Sequence, residues 1–213
     1  MRDGLSIQLS TDHSDIVTIF LIFCRRDYGK ITPGSVVVDI GANIGVFALY
    51  AAKGGAKIVH AYEPAEESFE LLQRNIENNG YEDTIYPHQA AVVGKPSPPV
   101  WFPCQSSVFN AIEKENYRNK SGHQLVSTVT LAELADNVSE STMFKLDCEG
   151  GEYDIILDSE DSAFDRIEDI RLEYHRGPRQ QLLARLGQLG YQCRQFMDSS
   201  EGGGYLWLTK KPP

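Results

Sequence analysis

Apolar residues along this chain gather in short runs, separated by longer stretches in which they recur every three or four positions. Val36 to Ile40 (VVVDI) is a continuous apolar run of the kind buried on both faces of a sheet, and Gly41 ends it. Ile44 to Lys53 then reads as a helix stopped by Gly54-Gly55, and Lys57 to Tyr62 as a second strand. Ala65 to Asn79 carries Phe69, Leu71, Leu72 and Ile76 on one side, a helix closed by Gly80, and His88 to Val93 reads as a third strand. Two strand–helix–strand units in succession imply right-handed crossovers and a parallel sheet covered by helices.

The stretch 94–127 is broken by Pro96, Pro98, Pro99, Pro103 and Gly122 and keeps neither period, so it reads as an irregular insertion with short strands around Trp101 and Val126. Thr130 to Asp136 follows as a helix, with Thr130 as N-cap and Glu133 completing a capping box. Met143 to Leu146 makes a fourth strand, Glu152 to Leu157 a short helix, Ile167 to Tyr174 a fifth strand and Gln180 to Leu189 an amphipathic helix. Tyr191 to Phe196 and Tyr205 to Thr209 flank Gly202-Gly203-Gly204 and pair as an antiparallel hairpin. The expected architecture is α/β: an open doubly wound sheet of about seven strands, the last ones antiparallel, with a ligand cleft at the carboxyl ends of the parallel strands.

Composition narrows this further. A chain of 213 residues, 41% hydrophobic and 23% charged, is one domain's worth of sequence and buries a core without metal or disulfide staples. Residues 1–213 are therefore read as a single domain, with 1–34 as an N-terminal helical segment. The apolar run Ile16 to Cys24 is about half a membrane span, follows Asp12 and Asp15 instead of basic residues, and is expected as a buried helix, neither signal nor anchor. Cys24, Cys104, Cys148 and Cys193 lie far apart, as free thiols of a cytoplasmic protein do. A net charge of −10 sets an unfavourable field against phosphate backbones, so the expected partner is a small molecule or sugar, with no nucleic acid and no membrane; the oligomeric state is left open.

Asp39-Ile-Gly41-Ala-Asn43-Ile-Gly45 sits where the first strand gives way to a helix. Gly41 permits a tight turn, Asn43 tolerates a left-handed backbone, and Gly45 lets a helix begin close to a ligand. The hydride-transfer fingerprint would need glycine where Asn43 and Val46 stand, and no phosphate-binding G-x-x-x-x-G-K-[ST] loop exists. Glu63 ends the second strand, where a carboxylate accepts the two hydroxyls of an adenosine ribose. The plainer alternative is a turn glycine pair and a helix-capping glutamate.

VVVDIGANIGVFAL, AYEP and LLQRNIENN, then Ser106-Ser107, TLAEL, FKLDCEGGEYDII and RLEYH, together resemble the FkbM family of S-adenosylmethionine-dependent methyltransferases. The resemblance runs from about Ser35 to His175. It implies the class I methyltransferase (Rossmann-like) fold, S-adenosylmethionine as cofactor, and methylation of a hydroxyl on a small molecule or sugar. Carried over by position, Asp39, Gly41, Asn43 and Gly45 surround the methionine part of the cofactor, Glu63 holds its ribose, and Gln89 and Ala91 meet the adenine.

Asp147, Glu149 and Glu152 follow the fourth strand, while Glu173 and His175 end the fifth, so the topology brings four carboxylates and an imidazole to one cleft. An acceptor hydroxyl must lose a proton, and His175 is the expected general base, oriented by Glu173 or Glu152. Asp147 is expected at the cofactor's amino group or the substrate, and Glu149 at the substrate hydroxyl. Taken alone, His175 is equally a surface histidine before Pro178, and the acidic residues equally a helix N-terminus. A divalent metal held by Asp147, Glu149 and His175 suits the donor types but ranks below metal-free base catalysis. Lys145, inside its strand, is set aside, and Cys148 is read as a small buried residue. The competing functions are N-methylation of a small amine and noncatalytic binding of an adenosyl ligand.

Overall fold

The computed structural model describes residues 4–11, 14–104, 122–138, 142–175, 177–198 and 203–211. The elements in chain order are α1 (Asp15–Ile19), continued by a π-helical turn (Phe20–Arg25), then β1 (Val36–Ile40), α2 (Val46–Lys53), β2 (Ile58–Tyr62), α3 (Glu66–Glu77), β3 (Ile85–His88) and β4 (Ala91–Val93). After them come β5 (Val100–Pro103), β6 (His123–Val126), β7 (Thr128–Thr130), α4 (Leu131–Asp136), β8 (Thr142–Leu146), α5 (Glu152–Asp158), β9 (Ile167–Tyr174), α6 (Arg179–Gln188), β10 (Tyr191–Asp198) and β11 (Gly204–Lys210).

Seven strands form one sheet in the order β10-β11-β9-β8-β1-β2-β3. The four pairings from β9 to β3 are all parallel, while β11 is antiparallel to both β9 and β10. Alternation along β1 divides the core: Val37 packs with α2 and α3 on one face, and Val36, Val38 and Ile40 pack with α4, α5 and α6 on the other. The Thr130–Glu133 capping box forms as its sequence predicts, each side chain meeting the other residue's backbone N–H.

Three expectations are corrected. The run Ile16 to Cys24 is not a buried helix: it is one α-helical turn followed by a π-helical turn, with Ile22 buried and Ile16, Val17 and Phe20 more than half exposed. Only one side of this short element faces the domain, so its apolar run cannot all be covered. The third strand of the main sheet lies at Ile85–His88, ahead of the expected position, because an edge strand tolerates Pro87, whose missing N–H costs no ladder bond there. Ala91–Val93 leaves the sheet to pair with β7, while β5 and β6 form a separate antiparallel pair. The helix after β1 starts two residues late, at Val46, because Asn43 (φ 49°) and Gly45 (φ 87°) are left-handed. Ser106 and Ser107 lie outside the described residues.

The N-terminal strap is held on α3 by two side-chain amides. Asn75 accepts from Gln8 N–H and donates to the Gln8 and Ile44 carbonyls, and Asn79 accepts from Ser6 N–H and donates to the Ser6 carbonyl. This carries α1 over the carboxyl ends of the strands. Among the described residues no helix is long and apolar enough to cross a membrane.

Candidate functional site

A cavity of about 570 Å³ opens at the carboxyl ends of β1, β2, β8 and β9, roofed by Val17, Thr18, Leu21 and Ile22 of the N-terminal helical turns. Its size falls within the range of small-ligand sites.

The loop after β1 is shaped by close approach of backbone to backbone. A Cβ on Gly41 would stand 1.9 Å from the Asp147 carbonyl oxygen, and its φ of 78° disfavours any other residue. Asn43 donates its N–H to Glu63 Oε2 at 2.7 Å, and Glu63 Oε1 accepts from Ala65 N–H at 2.8 Å. Each oxygen of this carboxylate thus holds one backbone donor and keeps a further lone pair at the cavity wall. Burial pushes Glu63 up to about 7 against the pull of those two donors.

On the same cavity, Asp147, Glu149, Glu173 and His175 converge from the ends of β8 and β9. Glu152, fully buried at the start of α5, accepts from the backbone N–H of Cys148 (2.5 Å) and Gly150 (2.9 Å) and from His175 Nδ1 (3.2 Å). It therefore shapes the loop 148–150, where Glu149 is left-handed at φ 53°, and sets the imidazole. His175 Nε2 faces Glu149 Oε1 and Glu173 Oε1 at 3.7 Å each and Asp147 Oδ1 at 4.0 Å. Burial works against its charge, but the Glu152 hydrogen bond and the fields of Asp147, Glu152 and Glu149 prevail and push it up to about 9. Burial and the Asp147 charge push Glu173 up to about 8, against the opposing effects of His175, Tyr28 and Tyr205. Asp147, Glu149 and His175 each bring one donor atom within 4.8 Å of the others, a spacing and donor set compatible with a divalent ion.

The structure thus brings Gly41, Asn43, Glu63, Ala91, Asp147, Glu149, Glu173 and His175 to one cavity, with Glu152 directly behind it. Three expected contacts are displaced. Asp39 is fully buried beneath the loop, where it pairs with Lys145 Nζ at 3.0 Å, because strand alternation turns it into the core beside α2. Gly45 makes room for α3: a Cβ there would meet Leu72 Cδ1 at 2.6 Å. Gln89 is exposed outside the cavity and contacts Gln124, since the main-sheet strand ends before it.

The sequence reading set Lys145 aside and did not single out Tyr28 or Tyr205. Lys145 reaches the cavity floor, donating to the Gly41 carbonyl at 2.8 Å and lying 3.6 Å from Asp147. Burial opposes its charge, yet Asp39 and Asp147 hold its pKa above the usual lysine value. A signal existed, since Asp39 and Lys145 are opposite charges in two otherwise apolar strands, and they are register partners. Tyr28 and Tyr205 line the same wall, and nothing in the local sequence marks either. Cys148 lines it too, but burial and Glu152 keep its thiol well above the usual value, so it is no nucleophile.

The model of the Methyltransferase FkbM domain matches residues 39–203. A Beauveria bassiana protein named Methyltransferase 1 is 27% identical over 177 residues, which span 73% of this chain and 70% of that protein. The 31-O-demethyl-FK506 methyltransferase FkbM of Streptomyces tacrolimicus is 44% identical over 59 residues, 27% of this chain and 23% of that one. Among solved structures, the ribosomal protein L11 methylase of Lactobacillus delbrueckii subsp. bulgaricus superposes with a TM-score of 0.55 at 16% identity, covering 96% of this chain and 82% of that one. The tRNA m1G37 methyltransferase of M. jannaschii superposes at 0.52 and 15% identity, over 88% and 48%. That last likeness corrects the expected partner: a small molecule or sugar to the exclusion of nucleic acid does not follow from this chain, because tRNA methyltransferases are built on the same fold. The physical reason is that a net charge sums the whole surface, whereas nucleic-acid contact is decided by the charge of one patch.

Proposed function

This chain belongs to the FkbM methyltransferase family, and from that membership we propose that its cavity binds S-adenosylmethionine and that the methyl group passes to a hydroxyl of an acceptor. The observation that carries the reading is the gathering of Glu63, paired with the Gly41–Asn43 loop, and of the carboxylate–imidazole group along a single cavity. When bound, the cofactor would supply an electrophilic methyl on a sulfonium. In-line transfer is then chiefly a matter of holding the acceptor oxygen about 3 Å from that carbon.

The chain's own residues divide that work. Glu63 takes the ribose hydroxyls on its remaining lone pairs, with its orientation fixed by Asn43 and Ala65. The apolar side chains of Val17, Leu21 and Ile22 cover one side of the cavity. Asp147 and Glu149 offer carboxylate acceptors for donors of cofactor and substrate. His175, set at Nδ1 by Glu152, receives the acceptor proton at Nε2.

Transfer of labelled methyl from S-adenosylmethionine into pools of sugars, polyketides, peptides and tRNA, analysed by mass spectrometry, tests this directly. Label on oxygen supports the proposal. Label on nitrogen, as in methylation of an amine or a base, moves the acceptor group. No transfer from a tightly bound cofactor identifies an adenosyl-ligand binder. The donor set formed by Asp147, Glu149 and His175 gives metal-assisted transfer a definite place. The metal-free reading expects unchanged single-turnover transfer after chelation, and loss restored by one divalent ion would replace it.

A further inference from the structure

The methionine end of S-adenosylmethionine carries an ammonium and a carboxylate on one carbon, so a cavity that binds it needs an acceptor and a donor side by side. Acceptors are plentiful, because Glu63, Asp147, Glu149 and Glu173 all line the cavity. Donors of positive charge are scarce: among the described residues that line it, Lys145 and His175 are the basic side chains.

The loop from β1 to α2 is the ordinary place for an anion, yet its backbone donors are already committed. Gly41 and Ala42 both donate to the Tyr62 carbonyl at 3.0 Å, Asn43 donates to Glu63 Oε2, and Gly45 donates to the Ala42 carbonyl at 2.9 Å. Ile44 is fully buried. A carboxylate must therefore find a side chain. His175 is a poor partner, since Nδ1 is held by Glu152 and Nε2 faces three carboxyl groups that repel a further anion.

Lys145 is differently placed. An ammonium has three hydrogens to donate. Asp39 Oδ1 at 3.0 Å takes one and the Gly41 carbonyl at 2.8 Å takes another. Asp147 Oδ2, at 3.6 Å, is close enough for attraction and too far for a hydrogen bond, so the third hydrogen has no such partner among the described residues. The Tyr28 and Phe47 rings flank the ammonium, with centroids 5.6 and 5.9 Å from Nζ, and hold it beneath the Gly41 turn. Lys145 and Asp147 thus set opposite charges next to each other on the cavity floor, complementary to the adjacent ammonium and carboxylate of an amino acid.

We propose that Lys145 binds the methionine carboxylate of S-adenosylmethionine through its third N–H, while Asp147 takes the neighbouring ammonium. The inference rests on this cavity being the S-adenosylmethionine site. It gives the lysine a ligand to hold in addition to the two strands and the loop that it already joins.

Two ligands that differ by one group test it: S-adenosylhomocysteine, the demethylated product, and its decarboxylated analogue, which keeps the adenosine, the thioether and the amine. Calorimetry on the unaltered protein should show the product binding at least about tenfold more tightly. Equal affinities overturn the role of Lys145 and leave the cofactor site in place, whereas a protein that binds neither ligand loses both. The double variant Asp39→Asn, Lys145→Met, shown to be folded by its melting curve and circular dichroism, should bind the two ligands within about threefold of each other, and Asp39→Asn alone should keep the preference. A preference that survives in the double variant takes the carboxylate away from Lys145. Solid-state dipolar recoupling needs no variant. With lysine labelled at ¹⁵Nζ and the bound product at its ¹³C carboxyl, the two nuclei should couple at contact distance, and among the described residues Lys145 is the lysine that lines the cavity. Absence of that coupling overturns the proposal whether or not the variants fold.

Discussion

Glu63 holds local structure with the same carboxylate that is proposed to meet the ligand. Its two oxygens bind Asn43 and Ala65 backbone N–H groups, which closes the loop after β1 onto the end of β2. If Glu63 holds the ribose as proposed, Glu63→Ala removes those contacts as well, so S-adenosylmethionine affinity should fall by about thirtyfold, on the order of 2 kcal/mol, in calorimetry. Unchanged affinity would take Glu63 out of the ribose site. His175 carries the chemical prediction. Its midpoint near 9 follows from Glu152, Asp147 and Glu149 outweighing burial, so the chemical step should accelerate with pH through about 9. His175→Asn should lower kcat by ~10² to 10⁴ and flatten that profile while cofactor affinity holds. Full turnover with the same profile in a variant whose chemical step limits the rate would exclude His175 as base.

At the scale of elements, β1 and β8 position everything on the cavity floor. Their parallel register places Asp39 opposite Lys145, and the ammonium reaches on to the Gly41 carbonyl and toward Asp147. One buried cation therefore secures two strands and the loop between β1 and α2. Lys145→Met keeps the apolar stem but leaves Asp39 as a buried, unpaired charge, a change that typically costs about 3–5 kcal/mol. Denaturant melts should show that loss, and the double variant with Asp39→Asn should recover much of it; a single variant as stable as wild type would show that the pair contributes little. The N-terminal strap has the opposite character. Asn75 of α3 and Asn79 just past its end clip it down, yet α1 and the π-helical turn leave Ile16, Val17 and Phe20 in solvent above the cavity. The roof is thus the thinnest layer of the site.

Across the whole molecule, the cavity concentrates titratable groups whose pKa values are all raised: Glu63 to about 7, Glu173 to about 8 and His175 to about 9. Through these three groups the folded chain holds more protons than the unfolded one between about pH 4.3, the ordinary glutamate value, and about 9, so their contribution to stability falls as pH rises, opposed near neutrality by His60 and His88, which burial lowers. Melting temperatures of the unliganded protein should decline from about pH 7 toward 9, above the range in which His60 and His88 titrate, and a flat or rising profile there would contradict the raised values. The sheet and its crossovers were legible because apolar runs of β1 and β8 and the face of α3 follow directly from side-chain periodicity, and Thr130 with Glu133 capped a helix by local chemistry alone. The loop from Gly41 to Asn43, Glu63 and the group Asp147, Glu149, Glu173 and His175 were legible for a related reason: each stands at the carboxyl end of a parallel strand, and topology sends those ends to one cleft. What the sequence could not reveal depends on which side of a strand faces the cavity and on contacts between distant segments. Asp39 turned inward, Gly45 made room for Leu72, and Gln89 fell outside because Pro87 sits in an edge strand ending at His88. Tyr28 and Tyr205 joined the acidic wall from opposite ends of the chain, over separations at which no local pattern acts. Only packing in three dimensions decides where such a hydroxyl points and which carboxyl groups it meets.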